Sequence, residues 1–151
     1  MEYKTDKRTK NLTLRDIHVG DWVQVWSEQT ERYSPPLKII SIHDDGTIYL
    51  VTSDEERCTP FEENIKNVDA LEITEELLLG FGFKKYRNNF FYDGNNFIYN
   101  LTYNQLSPLT LKPIKYFHEM QNVLDDDYCI KFNWKGVKKL PSKNLTNLNG
   151  N

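Results

Sequence analysis

Leu14-Arg15-Asp16-Ile17-His18-Val19-Gly20-Asp21-Trp22-Val23-Gln24-Val25-Trp26 is the stretch on which the fold turns. Gly20-Asp21 supplies a tight turn, because glycine reaches backbone conformations closed to other residues. Trp22 to Trp26 is aromatic and β-branched, with Gln24 as its polar interruption, and reads as a first β-strand. A turn feeding such a strand is how a small barrel begins. It names an architecture and no chemistry.

Downstream, Ser27 to Pro36 reads as a loop, because two adjacent prolines cannot sit inside a central strand. Leu37 to Ile42 and Thr47 to Thr52 are β-rich runs joined by His43-Asp44-Asp45-Gly46, the clearest hairpin signal in the chain. Ser53 to Pro60 is an acidic loop. Phe61 to Ile73 holds either a short strand or a helical turn, and periodicity does not decide between them.

The second half reads differently. Thr74 is a suitable N-cap, and Glu75 and Glu76 sit where the helix dipole favours negative charge. A short helix follows, with Leu77, Leu78 and Phe81 as its buried stripe and Gly80 and Gly82 as left-handed terminators. Asn89 to Tyr92 and Phe97 to Tyr103 form a second hairpin across Asp93-Gly94-Asn95-Asn96. Its return strand has Phe97, Tyr99, Leu101 and Tyr103 on one face and Ile98, Asn100 and Thr102 on the other. Leu109 to Lys112 reads as a further strand. Pro113 opens a helix from Ile114 to about Leu124, with Phe117, Met120 and Leu124 inward and Tyr116 and Glu119 outward. Tyr128 to Phe132 closes as a last strand.

The expected architecture is α+β. Residues 1–11 are a flexible N-terminus and residues 12–70 an SH3-like small barrel or bent sheet. Residues 71–133 are a helix–β-hairpin–helix–strand part, and residues 134–151 a flexible basic tail. The apolar content is unusual in kind. Nine Tyr, eight Phe and three Trp stand against two Met, so a chain of 151 residues can build a core from few side chains. The net charge is −3, divided between an acidic first half and a basic second half, which favours neither nucleic acid nor an acidic partner for the whole chain.

Cys58 and Cys129 are too few for a disulfide framework and lack metal-ligand spacing, so they read as thiols of a reducing compartment. The start of the chain is polar, without the apolar run of a secretory signal, and no window approaches about 18 apolar residues. Both points lead to an expected cytoplasmic location without membrane contact.

Signals for catalysis are weak. The histidines are His18, His43 and His118, and the first two lie in turns. Gly80-Phe81-Gly82 follows a helix instead of opening one, so it is no phosphate cradle. Asp125-Asp126-Asp127 lacks the spaced ligands and glycine of a calcium loop. No catalytic residue, metal site or cofactor is assigned. The best polar cluster is His118 with Gln121 and Asn122 on one helix face. It is either a platform for a partner or a set of ties to the neighbouring sheet. Candidate partner-binding residues are Tyr116, His118, Glu119, Gln121 and Asn122 on that helix, and Tyr86, Arg87, Tyr99 and Tyr103 around the aromatic hairpin. Lys84-Lys85-Tyr86-Arg87-Asn88-Asn89-Phe90-Phe91-Tyr92 also interleaves basic and aromatic residues, as a nucleic-acid surface would.

Three segments occur together in order. They are Arg15-x-Ile17-x-x-Gly20-Asp21-Trp22-Val23 with its Asp-Gly hairpin, Ile73-Thr74-Glu75-Glu76-Leu77 with Gly80-Phe81-Gly82-Phe83-Lys84, and Ile114-Lys115-Tyr116-Phe117-His118-Glu119-Met120-Gln121-Asn122. This order resembles a group of small uncharacterised proteins of Bacteroidetes bacteria and their phages, over residues 14 to about 123. The resemblance implies an origin and a layout, and no activity. The chain departs from the group after Asn122, where Val123-Leu124-Asp125-Asp126-Asp127 replaces an aromatic, apolar continuation. The leading expectation is a non-enzymatic protein-interaction module, phage or mobile-element encoded, that binds a host or phage protein and could serve counter-defence. A nucleic-acid-binding barrel and a small-molecule-binding protein are the alternatives.

Overall fold

The computed structural model describes residues 8–52, 59–128 and 130–136. Cys58, Cys129, residues 1–7 and the tail from 137 onward lie outside the described residues, as does most of the acidic loop. The chain forms two units, Met1–Glu72 with Ile114–Ile130, and Ile73–Pro113 with Lys131–Asn151. The helix expected in the second part therefore belongs to the first unit.

In the first unit the apolar run beginning at Trp22 forms β1 (Trp22–Ser27). It is followed by β2 (Arg32–Tyr33), β3 (Leu37–Ile42), β4 (Thr47–Val51), β5 (Phe61–Asn64) and β6 (Val68–Asp69). The order across the sheet is β2-β1-β3-β4-β5, with β6 also on β1. All pairings are antiparallel, and β1 meets three partners: Trp26 opposite Tyr33, Trp22 opposite Lys38, and Gln24 opposite Asp69. The loop expected between Ser27 and Pro36 thus contains a two-residue strand, while Pro35 and Pro36 stay outside it. Phe61 to Ile73 resolves as β5, a single 3₁₀ turn at Ile65–Asn67, and β6.

The core of this unit is Leu12, Ile17, Val23, Leu37, Ile39, Ile48, Leu50, Val68 and Ala70. These are the inward positions of the alternating strands, plus two apolar residues of the N-terminal segment. That segment was expected to be flexible up to residue 11. Its described part is pinned instead. Leu12 N–H donates to Val68 O, Ala70 N–H to Lys10 O, and Asn11 bridges Asp69. An unpaired edge at β6 would leave backbone groups without partners, and residues 10–12 satisfy them.

α1 spans Glu75–Gly80 in the second unit and α2 spans Phe117–Asp127 in the first. α2 starts three residues later than Ile114. Tyr116 is extended (φ −119°, ψ 141°) and bridges Glu72, and Phe117 N–H donates to Leu71 O at 2.9 Å. Residues before Phe117 are held in strand-like pairing, which the helix cannot share. Phe117, Met120 and Leu124 are buried as the spacing predicts.

The second unit is a meander. β7 (Lys84–Tyr86), β8 (Asn89–Phe91), β9 (Ile98–Asn100) and β10 (Gln105–Ser107) lie in the order β10-β9-β8-β7. Thr74 caps α1 by accepting from Leu77 N–H at 3.1 Å. Gly82 takes φ +99° and ends the helix as expected, but Gly80 is an ordinary helical residue. Its lack of a side chain serves packing, because a Cβ there would overlap the Trp134 ring. The expected alternation of Phe97, Tyr99, Leu101 and Tyr103 stops early. β9 ends at Asn100, the chain turns through Asn104 (φ 53°), and Tyr103 is 71% exposed. The strand expected at Leu109–Lys112 is replaced by β10. The described residues from Ile130 to Gly136 form no strand. Trp134 and Lys135, expected in a flexible tail, pack on and bond to Gly80.

Phe117 is fully buried on the α2 face that covers the sheet. Phe117→Ala should lower unfolding stability by about 3–5 kcal/mol, read from urea denaturation. A loss under about 1 kcal/mol would mean that α2 contributes little to the core.

Candidate functional site

The polar face of α2 turns inward. Gln121 spans the turn that opens β1: Trp22 N–H donates to its Oε1 at 2.8 Å, and its Nε2 donates to Gly20 O at 3.0 Å. One side-chain amide thus answers two backbone groups of the turn. His118, one turn earlier, is 4% exposed, and its buried Nδ1 has no hydrogen-bond partner among the described residues. Burial holds its pKa below the usual histidine value. Tyr116 is half-buried against the core, with Lys10 Nζ 5.4 Å from its ring centre. Glu119 and Asn122 are intermediate in exposure. Of the five helix residues expected to meet a partner, His118 and Gln121 are thus committed to the unit's own interior. Tyr116 was expected to point outward and instead packs inward. Of the two readings of this face, the bonds of Gln121 agree with the ties to the neighbouring sheet.

Asp21, in the same turn, is 3% exposed and accepts from His18 N–H at 2.8 Å. Burial raises its pKa to about 6, against the opposing pull of His18. A second buried acid, Asp69, is answered more fully. Arg8 Nε donates to it at 2.8 Å, Tyr33 O–H at 2.6 Å and Asn11 Nδ2 at 3.2 Å. This network escaped sequence reasoning because Arg8 and Asp69 are 61 residues apart. Its one local signal was an acid inside the apolar run Val68-Asp69-Ala70-Leu71. On the exposed hairpin, Ser41 Oγ and His43 Nε2 share a hydrogen bond of 2.7 Å, open to solvent. Among the described residues no group of three or more His, Cys, Asp or Glu is placed to hold a metal ion. No helix among them is long and apolar enough to cross a membrane.

The second unit exposes Tyr86, Ile98 and Tyr103. Its register aligns Lys84, Phe91, Ile98 and Ser107 in one cross-strand row, and Tyr86, Asn89, Asn100 and Gln105 in another. The intervening row holds Lys85, which is exposed at the edge, and Phe90, Tyr99 and Leu106, which are buried. Side chains alternate across a strand, so the first two rows share the outer face. Tyr86 is 62% and Ile98 45% exposed there. Arg87, at φ 59° in the β7–β8 turn, lays its guanidinium 5.3 Å from the Tyr86 ring centre. Asn100 Nδ2 donates to Asn89 Oδ1 at 2.8 Å, so these amides answer each other. Tyr99, expected at a partner surface, is wholly buried and donates to Asn104 Oδ1 at 3.0 Å. It lies on the inner row, where burial raises its pKa. Tyr86, Arg87 and Tyr103 are at the surface as expected. Ile98 was missed as a surface residue, although pairing it through half-buried Phe91 with Lys84 would have pointed to it.

Residues 73–113 and 131–136 carry six Lys/Arg and three Asp/Glu, a net +3. The described part of the first unit carries seven and fourteen, a net −7. Comparison with protein-family models, curated proteins and solved structures gives no match.

Asp21 and His118 give stability opposite slopes with pH. A carboxyl whose folded pKa is raised to about 6 contributes stability that is complete below about pH 4 and lost as pH rises through 6. A histidine held below its ordinary 6.5 contributes stability present above 6.5 and lost as pH falls through the folded value. Asp21→Asn keeps an acceptor for His18 N–H and removes the first slope. Its stability should gain on the parent chain from pH 4.5 to pH 8, measured by urea denaturation at both. An unchanged gap would mean that Asp21 ionises normally.

Proposed function

We propose that this chain is a non-enzymatic interaction module whose second unit docks on an acidic protein partner through the outer face of β7–β10. The observation that carries this reading is the pair of cross-strand rows with Phe91 and Ile98 at their centre and Tyr86 at their edge, on a unit of net positive charge. An exposed isoleucine beside aromatic rings has no role in the unit's own core, and such patches mark contact surfaces. Aromatic anchors and arginine are the side chains that most often dominate binding energy. Lys84 and Lys85 are already paired with Asp93 and Glu75, so Arg87 and Lys112 would carry the attraction for acid.

Nucleic acid is the second reading, favoured by the Tyr86–Arg87 stack on a basic unit. It ranks lower because the middle of the face holds an aliphatic side chain and amides that bond each other. Stacking on bases needs open rings there. The first unit's bent sheet is read as an SH3-like barrel serving as a scaffold. The resemblance to small Bacteroidetes and phage proteins motivates a partner in a bacterial cytoplasm, encoded by host or phage, with blocking of a defence system as one role.

Capture from a bacterial lysate with tagged chain tests the reading. Ile98→Glu should reduce recovery of a stoichiometric protein by about tenfold, while unfolding stability stays within about 0.5 kcal/mol. Recovery of nucleic acid without a stoichiometric protein would reverse the order of the two readings. Equal recovery by the parent and Ile98→Glu would remove this face from consideration.

A further inference from the structure

The segment Lys131-Phe132-Asn133-Trp134-Lys135-Gly136 re-enters the second unit without forming helix or strand. It is seated by its aromatic side chains. Phe132 is 2% exposed, stacks on Phe83 (ring centres 5.6 Å, planes 13° apart) and meets Tyr92 edge-on at 5.1 Å. Trp134 lies edge-on to Phe81 at 5.0 Å and covers Gly80. Lys135 N–H donates to Gly80 O at 2.9 Å. Lys131 and Lys135 point to solvent. Between the rings, the buried Oδ1 of Asn133 has no partner among the described residues. The arrangement is that of a ligand in a groove. Two rings two residues apart fill adjacent seats, the basic side chains stay outside, and one buried acceptor is left unanswered.

Gly80 shows how specific one seat is. It sits inside α1 with an ordinary helical backbone, where alanine would favour the helix by about 1 kcal/mol. Any Cβ there would overlap Cζ3 and Cη2 of Trp134. Those atoms are the far end of a side chain on an irregular segment, so departure of the tryptophan is the easy relief. The indole is what a Cβ at this position meets first.

We propose that the groove of Gly80, Phe81, Phe83 and Tyr92 is a peptide-binding site for an aromatic-x-aromatic segment of a protein partner. Phe132 and Trp134 fill it in cis. A partner segment of the same pattern competes for the two seats, and its arrival displaces residues 131–136. The groove uses none of the outer-face residues of β7–β10, so this proposal and the proposed function fail separately.

The test uses the full chain. Phe132→Ala with Trp134→Ala empties both seats and leaves the walls intact. The probe is a fluorescein-labelled peptide spanning Ile130 to Gly136, followed by anisotropy. It should bind the double variant saturably, the parent about tenfold more weakly because the groove is filled, and the Gly80→Ala triple variant not at all. No binding to a double variant that keeps its far-ultraviolet dichroism would overturn the proposal, as would binding that ignores Gly80→Ala. Should the double variant unfold, Gly80→Ala alone decides. Release of the segment predicts trypsin cleavage after Lys131 and Lys135 about tenfold faster, with helical dichroism retained. Unchanged cleavage, or cooperative loss of the whole unit, would make the segment fixed core. A reversible dimer of the parent chain abolished by Trp134→Ala would make a second copy the occupant and overturn the partner form.

Discussion

One side-chain amide joins α2 to the start of β1, and the first unit depends on that joint. Gln121 reads a carbonyl at Gly20 and an N–H at Trp22 at the same time. That pair of bonds fixes both the rotation of α2 and the position of the turn. β1 then carries the constraint to β2, β3 and β6, each paired at a different stretch of the same strand. A slip of one residue in β1 would turn Val23 outward and Gln24 inward. Hydrophobic burial supplies most of the stabilising free energy, but it has no direction. The amide supplies the direction.

Among the described residues, the buried polar side chains Asp21, Asp69 and His118 show three degrees of compensation. Asp69 has a guanidinium, a phenol and an amide. Asp21 has the His18 N–H and, at 3.7 Å, the His18 ring, and burial still leaves its ionised form disfavoured. His118 Nδ1 has nothing among the described residues, and burial holds its pKa below the usual histidine value. Removing a charge from water is costly unless partners replace the water. Asp69 is therefore a clamp that holds residues 8–12 to the sheet, while Asp21 and His118 make the neighbouring turn sensitive to pH.

In the second unit the same rule works through rings. Phe83 meets Tyr92, Phe97 and Phe132, and Phe81 meets Phe132 and Trp134. Aromatic pairs prefer edge-on and offset contacts, so a small unit can be ordered by few residues with defined angles. On the inner row of the meander Phe90, Tyr99 and Leu106 are buried. On the outer rows Ile98, Phe91 and Tyr86 remain on a basic background.

The sequence by itself determined the local elements. β1, the β3–β4 hairpin, the Thr74 cap and the buried stripes of α1 and α2 follow from patterns within a few residues, where period and turn chemistry act directly. A mixture of antiparallel strands with few helices followed from them. Tertiary structure decided what depends on distant residues. Residues 8–12 are ordered because β6 needs an edge partner. α2 begins at Phe117 because Tyr116 is bridged to Glu72 and the N–H of Phe117 itself is given to Leu71 O. Gly80 is glycine because of Trp134, 54 positions away, and not because the helix ends there. Tyr99 and Tyr103 look alike in sequence, yet one is core and the other surface because β9 stops between them. The same holds for the candidate site. The composition showed rings and basic residues, and only the cross-strand register showed which of them share an open face. Periodicity reports the face of an element, whereas the choice of which face meets water belongs to the elements packed against it.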